Sequence, residues 1–574
     1  MTRPTVLLIG IDAACFEQLD PLIAAGELPT IEALVARGVA DELRTTFPPW
    51  TPSAWPSVVT GVEPWRHGVY DFHSYDGSPR IVSAADVRVP FLWETLSAHG
   101  HSSIVVNVPV THPLHAFDGS LVPGYLAPEA PTVLVDGVER TLAELGIDDY
   151  TVYGRDAGST EERLAEYERL VDSRVAVAER LAAEHDWAFM MVQFQAPDSV
   201  FHTDGTDPEA VARVYRRVDA GVKRLLDLAG DDCDVLVVSD HGIQQYSRVL
   251  YLNAWLRDRG DLVTSAAATR HVWNEGEKHA LIEGDTADDG REGEQGRGTD
   301  RERATRRGRA ASRALAGLDR VGITPARAER LLARVGLDEA VARALPESML
   351  LELVDAGAHV DTERSAAYCR SLSSLGIRCN VAGRDPGGVI PAAAFDAFRA
   401  ALVDDLRALR APDGSCVFEG VEDRHALVDA VANEASAPDV LLRPADMRWK
   451  VSDVVRERVV GETDEFSHTW TGLVVAAGPN AAGGFTVESP SVVDIAPTVL
   501  RLFGIDPSGL DGRPLLAGAV ALEPRIEDAA GRRFLGDAGT SDGVAANASE
   551  EADDGDEDDY DVVADRLKQM GYLD

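Results

Sequence analysis

The stretch Thr5-Val6-Leu7-Leu8-Ile9-Gly10-Ile11-Asp12 decides how the chain is read. A continuous apolar run of strand length suits a strand buried on both faces, the kind found in parallel sheets covered by helices. Asp12 then stands at the carboxyl end of that strand, where open α/β sheets gather their ligands. The alternative is that Asp12 caps the next helix. The pattern recurs along the chain: Ser102–Val106 runs into Asn107, Trp187–Phe194 into Gln195-Ala196-Pro197-Asp198-Ser199-Val200-Phe201-His202, and Asp234–Ser239 into Asp240-His241-Gly242. Asn107 either donates to a phosphoryl oxygen or merely terminates its strand. Asp198 and His202, four apart, can converge on one cation. Neighbouring residues point oppositely on a regular strand, so Asp240 and His241 need the following turn to aim both at one ion.

Between the first two of these strands lies Thr46-Phe47-Pro48-Pro49-Trp50-Thr51-Pro52-Ser53-Ala54-Trp55-Pro56-Ser57-Val58-Val59-Thr60-Gly61, a rigid loop that delivers a hydroxyl to the start of a helix. Pro52 suits the first helical turn, which puts Thr51 at the N-cap. A hydroxyl there either caps the helix or faces an anion, because the first turn offers unpaired N–H groups and a partial positive charge. Leu28–Arg37 reads as a helix closed by Gly38 and Val39–Thr45 as a second strand. Ser159-Thr160-Glu161-Glu162 is a capping box that opens a long amphipathic helix, and Pro208–Leu228 is another.

The 574 residues carry a net charge of −41, with Lys223, Lys278, Lys450 and Lys568 as the only lysines. An acidic, lysine-poor surface is that of a salt-adapted protein, since concentrated salt screens self-repulsion. The same charge argues against stable binding of nucleic acid. Cys15, Cys233, Cys369, Cys379 and Cys416 are odd in number, dispersed and without metal-ligand spacing, as in a reducing compartment. No apolar run approaches the ~20 residues of a membrane span. The expected location is the cytoplasm, away from membranes.

Four segments are expected. Residues 1–251 form the first part of a catalytic α/β domain, and 252–437 an inserted lobe with a disordered, charge-rich loop near 283–310. Residues 438–519 return to the α/β domain, the sheet pattern resuming with Pro438-Asp439-Val440-Leu441-Leu442 and passing through Glu465-Phe466-Ser467-His468. Residues 520–574 are an acidic disordered tail ending in a short helix, Val562–Leu573, that docks on the body or on a second copy.

Asp12, Thr51, Asp198, His202, Asp240, His241 and His468 supply one hydroxyl and six metal-type ligands, each at a strand end or in an adjoining loop. Their order, together with Pro48–Phe72, Asn107-Val108-Pro109 and Asp494-Ile495-Ala496-Pro497-Thr498, resembles the alkaline phosphatase superfamily, specifically its type I phosphodiesterase/nucleotide pyrophosphatase-like branch and the predicted phosphohydrolase/phosphomutase group. The resemblance implies a three-layer α/β sandwich with a mostly parallel central sheet. It implies two divalent ions, zinc or manganese: one held by Asp12, Asp240, His241 and the Thr51 hydroxyl, the other by Asp198, His202 and His468. Among Thr45, Thr46, Thr51 and Ser53 the family spacing selects the nucleophile, nine positions before the Thr-Gly at Thr60, hence Thr51. Phe466-Ser467 depart from the Gly-rich lead-in expected before His468. The implied activity is hydrolysis of small phosphorylated substrates through a phospho-threonine, with the N–H groups after Thr51 as added donors. A phosphomutase on the same site, or a binding protein that has lost its chemistry, is the alternative. A sulfatase is disfavoured because no Cys or Ser followed by x-Pro-x-Arg occupies the nucleophile position.

Overall fold

The computed structural model describes residues 5–265 and 359–518, apart from positions 130, 148, 156 and 158. The loop near 283–310, a helix that the sequence pattern predicts around Pro325–Val335, and the tail from 520 onward lie outside the described residues.

The run that opens the chain forms the strand Val6–Ile11, buried at all six positions. It pairs in parallel with Phe189–Phe194 on one side and Asp234–Val238 on the other. Ser103–Val106 and Gly119–Val122 extend the parallel core. Antiparallel strands complete a nine-stranded mixed sheet: Val39–Arg44 and Thr471–Ala477 at one end, Val133–Val135 and Val138–Arg140 at the other. Burial on both faces is what the unbroken apolar runs required.

Helices lie on both sides of this sheet. Successive strand residues point to opposite faces. A Cβ added at Gly221, in the helix Pro208–Ala229, would lie 3.4 Å from the Phe194 ring, so that helix and its neighbour Thr160–Glu184 cover the Phe194 side. A Cβ added at Gly10 would meet the Trp55 indole at 2.4 Å and Gln193 at 3.2 Å, so the helix Thr51–Thr60 covers the other side, packed on Ile495–Leu502. The fold is therefore a mixed α/β sandwich, as expected. Ser159 caps Thr160–Glu184 by accepting the Glu162 N–H. The helix Pro29–Arg37 lacks a side-chain cap of its own and borrows one: Asp219 accepts its Thr30 and Ile31 N–H groups at 3.0 and 2.8 Å.

A second hydrophobic core gathers Leu250, Leu256, Ile377, Leu402, Leu406, Val421, Val440, Leu442 and Trp449. Here one sequence reading needs correction. Val440–Pro444 does not resume the main sheet; it pairs antiparallel with Phe418–Asp423 and Gly376–Cys379 in a separate sheet. Trp449–Ser452 pairs with Arg248–Tyr251. A short apolar run announces burial but not the sheet it joins, and the chain re-enters the main sheet only with Thr471–Ala477.

Candidate active site

Every predicted metal ligand and Thr51 converge beyond the carboxyl ends of the parallel strands. Asp12, Thr51, Asp198, Asp240, His241 and His468 are fully buried, and His202 retains 10% side-chain exposure. Asp12 follows Val6–Ile11, and Asp240 and His241 follow Asp234–Val238. Asp198 and His202 share one face of the short helix Ala196–Asp204. His468 arrives on Phe466–Thr469, which pairs with Gly242–Gln245 so that His468 stands opposite Ile243. That pairing stacks the His468 ring on His241, with centroids 3.7 Å apart.

Thr51 is the first residue of its helix rather than the N-cap, a shift of one position from expectation. Trp50, with extended backbone, is the N-cap, and no side chain caps the helix. The Thr51 hydroxyl is thereby spared for the cluster and lies 3.3 Å from His241 Nε2. Its neighbours are engaged elsewhere: the Thr46 hydroxyl donates to the Pro48 carbonyl and the Ser53 hydroxyl to the Pro48 and Trp50 carbonyls. The expected N–H donors after Thr51 do not face outward. Pro52 has none, and the Ser53 and Ala54 N–H groups both close on the Trp50 carbonyl.

Each carboxylate is held by one oxygen and bare at the other. Asp12 Oδ2 accepts the Trp55 indole N–H at 2.9 Å and Gln193 Nε2 at 2.7 Å, while Asp240 Oδ1 accepts the Ala13 N–H and Asp198 Oδ2 accepts Gln195 Nε2. Asp12 Oδ1, Asp198 Oδ1 and Asp240 Oδ2 are buried and accept no hydrogen bond. A buried carboxylate oxygen without a partner is costly. The histidines are aimed the same way. His241 Nδ1 lies 3.2 Å from the Gly242 carbonyl and His468 Nδ1 3.0 Å from the Pro49 carbonyl. A carbonyl only accepts, so in the neutral rings these nitrogens carry the proton and Nε2 presents a lone pair. His468 Nε2 faces Asp198 Oδ1 and His202 Nε2, each at 3.3 Å, and His241 Nε2 lies 3.0 Å from Asp240 Oδ2 and 3.7 Å from Asp12 Oδ1. Lone pairs and bare oxygens turned toward one another suit shared cations. Two groups can each gather ligand atoms within 4.8 Å: Asp198 with His202 and His468, and Asp12 with Asp198 and His241.

The charge state of the bare protein carries the same strain. Burial, then the Asp240 and Asp198 carboxylates, push the Asp12 carboxyl well above its ordinary range. Burial and the neighbouring His241 hold His468 down to about 3, keeping it neutral. Burial also opposes the ionisation of Asp198, yet His202 and His468 outweigh it and hold that carboxyl below the usual range. Such mutual repulsion is what a divalent cation relieves.

Asn107 directly follows the strand Ser103–Val106, the second of the two readings its position allowed. It is buried, and its amide nitrogen donates to Gln193 O at 3.0 Å and Gln193 Oε1 at 2.7 Å, which spends both hydrogens inside the protein. Trp55, Gln193 and Gln195 escaped the sequence reading. Gln193 had a visible mark, a polar residue inside the apolar run Phe189–Phe194.

A cavity of about 370 Å³ opens beside His202, lined by Trp50, Phe201 and Tyr246 and, from the second core's sheets and loops, by Leu372, Trp449 and Lys450. Among the described residues no helix is long and apolar enough to cross a membrane.

The family model for type I phosphodiesterase/nucleotide pyrophosphatase matches residues 6–309, more than half of the chain. Ectonucleotide pyrophosphatase/phosphodiesterase family member 1 of Mus musculus is 27% identical over 263 residues, covering 44% of this chain and 26% of that protein. The Homo sapiens counterpart is 25% identical over the same length, with 44% and 25% covered. The match thus spans about a quarter of these curated relatives. Among solved structures, the phosphonoacetate hydrolase of Sinorhizobium meliloti 1021 aligns over 86% of this chain and 94% of its own at 14% identity, with a TM-score of 0.48. The match of the family model over more than half its length establishes that this chain belongs to the type I phosphodiesterase/nucleotide pyrophosphatase family.

Proposed function

We propose that the chain hydrolyses phosphate esters or phosphoanhydrides at a site for two divalent ions, with Thr51 as nucleophile. The observation that carries this is the convergence of three buried, unpartnered carboxylate oxygens and two oriented Nε2 atoms beside the Thr51 hydroxyl. Asp12, Asp240, His241 and Thr51 would hold one ion, and Asp198, His202 and His468 the other. Zinc and manganese both suit this donor set, and when bound such ions neutralise phosphoryl oxygens and lower the pKa of a coordinated hydroxyl.

The chain's own part is positioning. Trp50 and the first turn of Thr51–Thr60 hold Thr51 Oγ still, and burial excludes bulk water from it. Attack by Thr51 Oγ forms an oxygen–phosphorus bond as the bond to the leaving group breaks, and the alcohol or phosphate departs into the cavity beside His202. Water then cleaves the phospho-threonine and restores the hydroxyl. The aromatic walls of Trp50 and Trp449 suit an organic leaving group. The acidic, lysine-poor composition supports cytoplasmic work in concentrated salt.

The test is turnover of nitrophenyl mono- and diesters by the pure protein with Mn²⁺ or Zn²⁺ in high salt. Thr51→Ala is expected to cut kcat by about 10⁴-fold or more with ion content kept. No turnover of either ester with any divalent ion would end this reading, and an active Thr51→Ala would move the nucleophile elsewhere.

A further inference from the structure

The two halves of the site are tied together by a line of buried amides that runs across the carboxyl edge of the sheet. In the parallel register Gly10 stands beside Gln193, and Val192 beside Val106, so Asp12, Gln193 and Asn107 emerge in a row from three adjacent strands. The Tyr150 hydroxyl lies 2.6 Å from the Pro123 carbonyl and 3.1 Å from Asn107 Oδ1. Asn107 Nδ2 donates to Gln193 Oε1 at 2.7 Å. Gln193 Nε2 donates both ways, to Asp12 Oδ2 at 2.7 Å and to Gln195 Oε1 at 3.0 Å. Gln195 Nε2 completes the line at Asp198 Oδ2, 3.4 Å away.

The direction of every amide follows from the ends. Carboxylates only accept, so Gln193 and Gln195 must present nitrogen to Asp12 and Asp198. The Gln193 oxygen is thereby left to Asn107, whose nitrogen must face it. Tyr150, Asn107 and Gln193 are at most 4% exposed. At such depth an amide that lost a partner would be left unsatisfied, so Asn107 and Gln193 are each confined to one orientation. Space is made for it by Gly10, where any Cβ would strike both Trp55 and Gln193.

We propose that Gln193 is a positioning residue shared by both ion sites: one amide holds Asp12 Oδ2 directly and Asp198 Oδ2 through Gln195, which leaves the Oδ1 atom of each carboxylate turned to the cluster. Trp55 supports only the Asp12 side, since its indole N–H bonds Asp12. Gln195 bonds only the Asp198 side. This rests on the two-ion reading above, and partners that hold a metal ligand are commonly worth 10–100-fold in ion affinity.

The test is calorimetric titration of the metal-free, full-length protein with Zn²⁺, which gives two dissociation constants. They are assigned by repeating the titration in His241→Ala and His202→Ala backgrounds, each of which cripples one site. Gln193→Met keeps length and apolar packing but removes every bond of the amide, and it is expected to weaken both ions by about 10-fold or more. Trp55→Phe should weaken the Asp12-side ion alone, and Gln195→Met the Asp198-side ion alone. Should Gln193→Met fail to fold, as judged by its thermal transition, Asn107→Leu removes the donor that fixes Gln193 without touching either carboxylate, and the same loss at both ions is expected. A loss confined to one ion, or none, in a folded variant overturns the shared role while leaving the two-ion site standing. Fewer than two ions in the wild-type protein overturns both.

Discussion

Two clusters in this molecule look alike in composition and differ in how their atoms are partnered. Around Asp439, His425 and Glu434 approach within metal-binding range, as do Asp198, His202 and His468 in the main domain. Yet Asp439 is saturated. Oδ1 takes Arg384 at 2.7 Å and His425 at 2.8 Å, while Oδ2 takes the Cys379 N–H at 2.8 Å and Arg384 at 2.9 Å. Burial acts to raise its carboxyl, but the bonds from His425 and Arg384 outweigh it and hold Asp439 well below the ordinary range. At the strand ends, by contrast, Asp12, Asp198 and Asp240 each keep one oxygen bare. Residue type alone therefore does not separate a structural ion network from a candidate binding centre. The separating feature is which atoms are left without a partner.

The contrast can be broken most sharply by activity. His202→Ala should lower kcat/KM for a nitrophenyl ester by about 10³-fold, whereas His425→Ala should leave it within about twofold; comparable losses would erase the distinction. Stability comes next. Asp439→Asn should destabilise the protein by about 3–5 kcal/mol in denaturant titrations, because it strips a buried charge from Arg384. That difference carries a pH signature. A carboxyl held low in the folded state stabilises above its unfolded pKa of about 3.9, and the contribution is lost as pH falls through that range. Wild type and Asp439→Asn should accordingly diverge above about pH 4 and converge below it. Asp12→Asn should act with the opposite sign in the metal-free protein, raising stability by about 1 kcal/mol, or ~2 °C in Tm, as one of three repelling carboxylates disappears. Ser53→Ala should likewise leave kcat within about twofold, since its hydroxyl is bound to loop carbonyls and not to the cluster.

Much of this was legible in the sequence because the fold places chemistry where strands end. The runs Val6–Ile11, Phe189–Phe194 and Asp234–Val238 are almost wholly apolar for want of a solvent face, and candidate site residues or their supports follow closely after each. Thr51 was readable from its proline and its spacing. What stayed hidden is of two kinds. The sheet that Val440–Pro444 joins is decided by long-range pairing, to which a short apolar run is blind. The supporting residues Trp55, Gln193 and Gln195 carry no periodic signature, and only register and packing reveal which carboxylate each one holds. Asn107 shows the same limit: its position at a strand end was visible, but its engagement with Gln193 was not.

The seat of His468 has a consequence for how the molecule comes into being. Its Nδ1 rests on the Pro49 carbonyl, 419 positions earlier in the chain, and its strand Phe466–Thr469 pairs with Gly242–Gln245. Domains form largely from the N-terminus as a chain leaves the ribosome. A nascent chain could therefore build the first strands and display Thr51 long before the histidine that completes the cluster has been made. Until that strand docks, the growing polypeptide carries the Thr51 hydroxyl without His468 beside it, so the proposed site stays incomplete until residue 468 has been made.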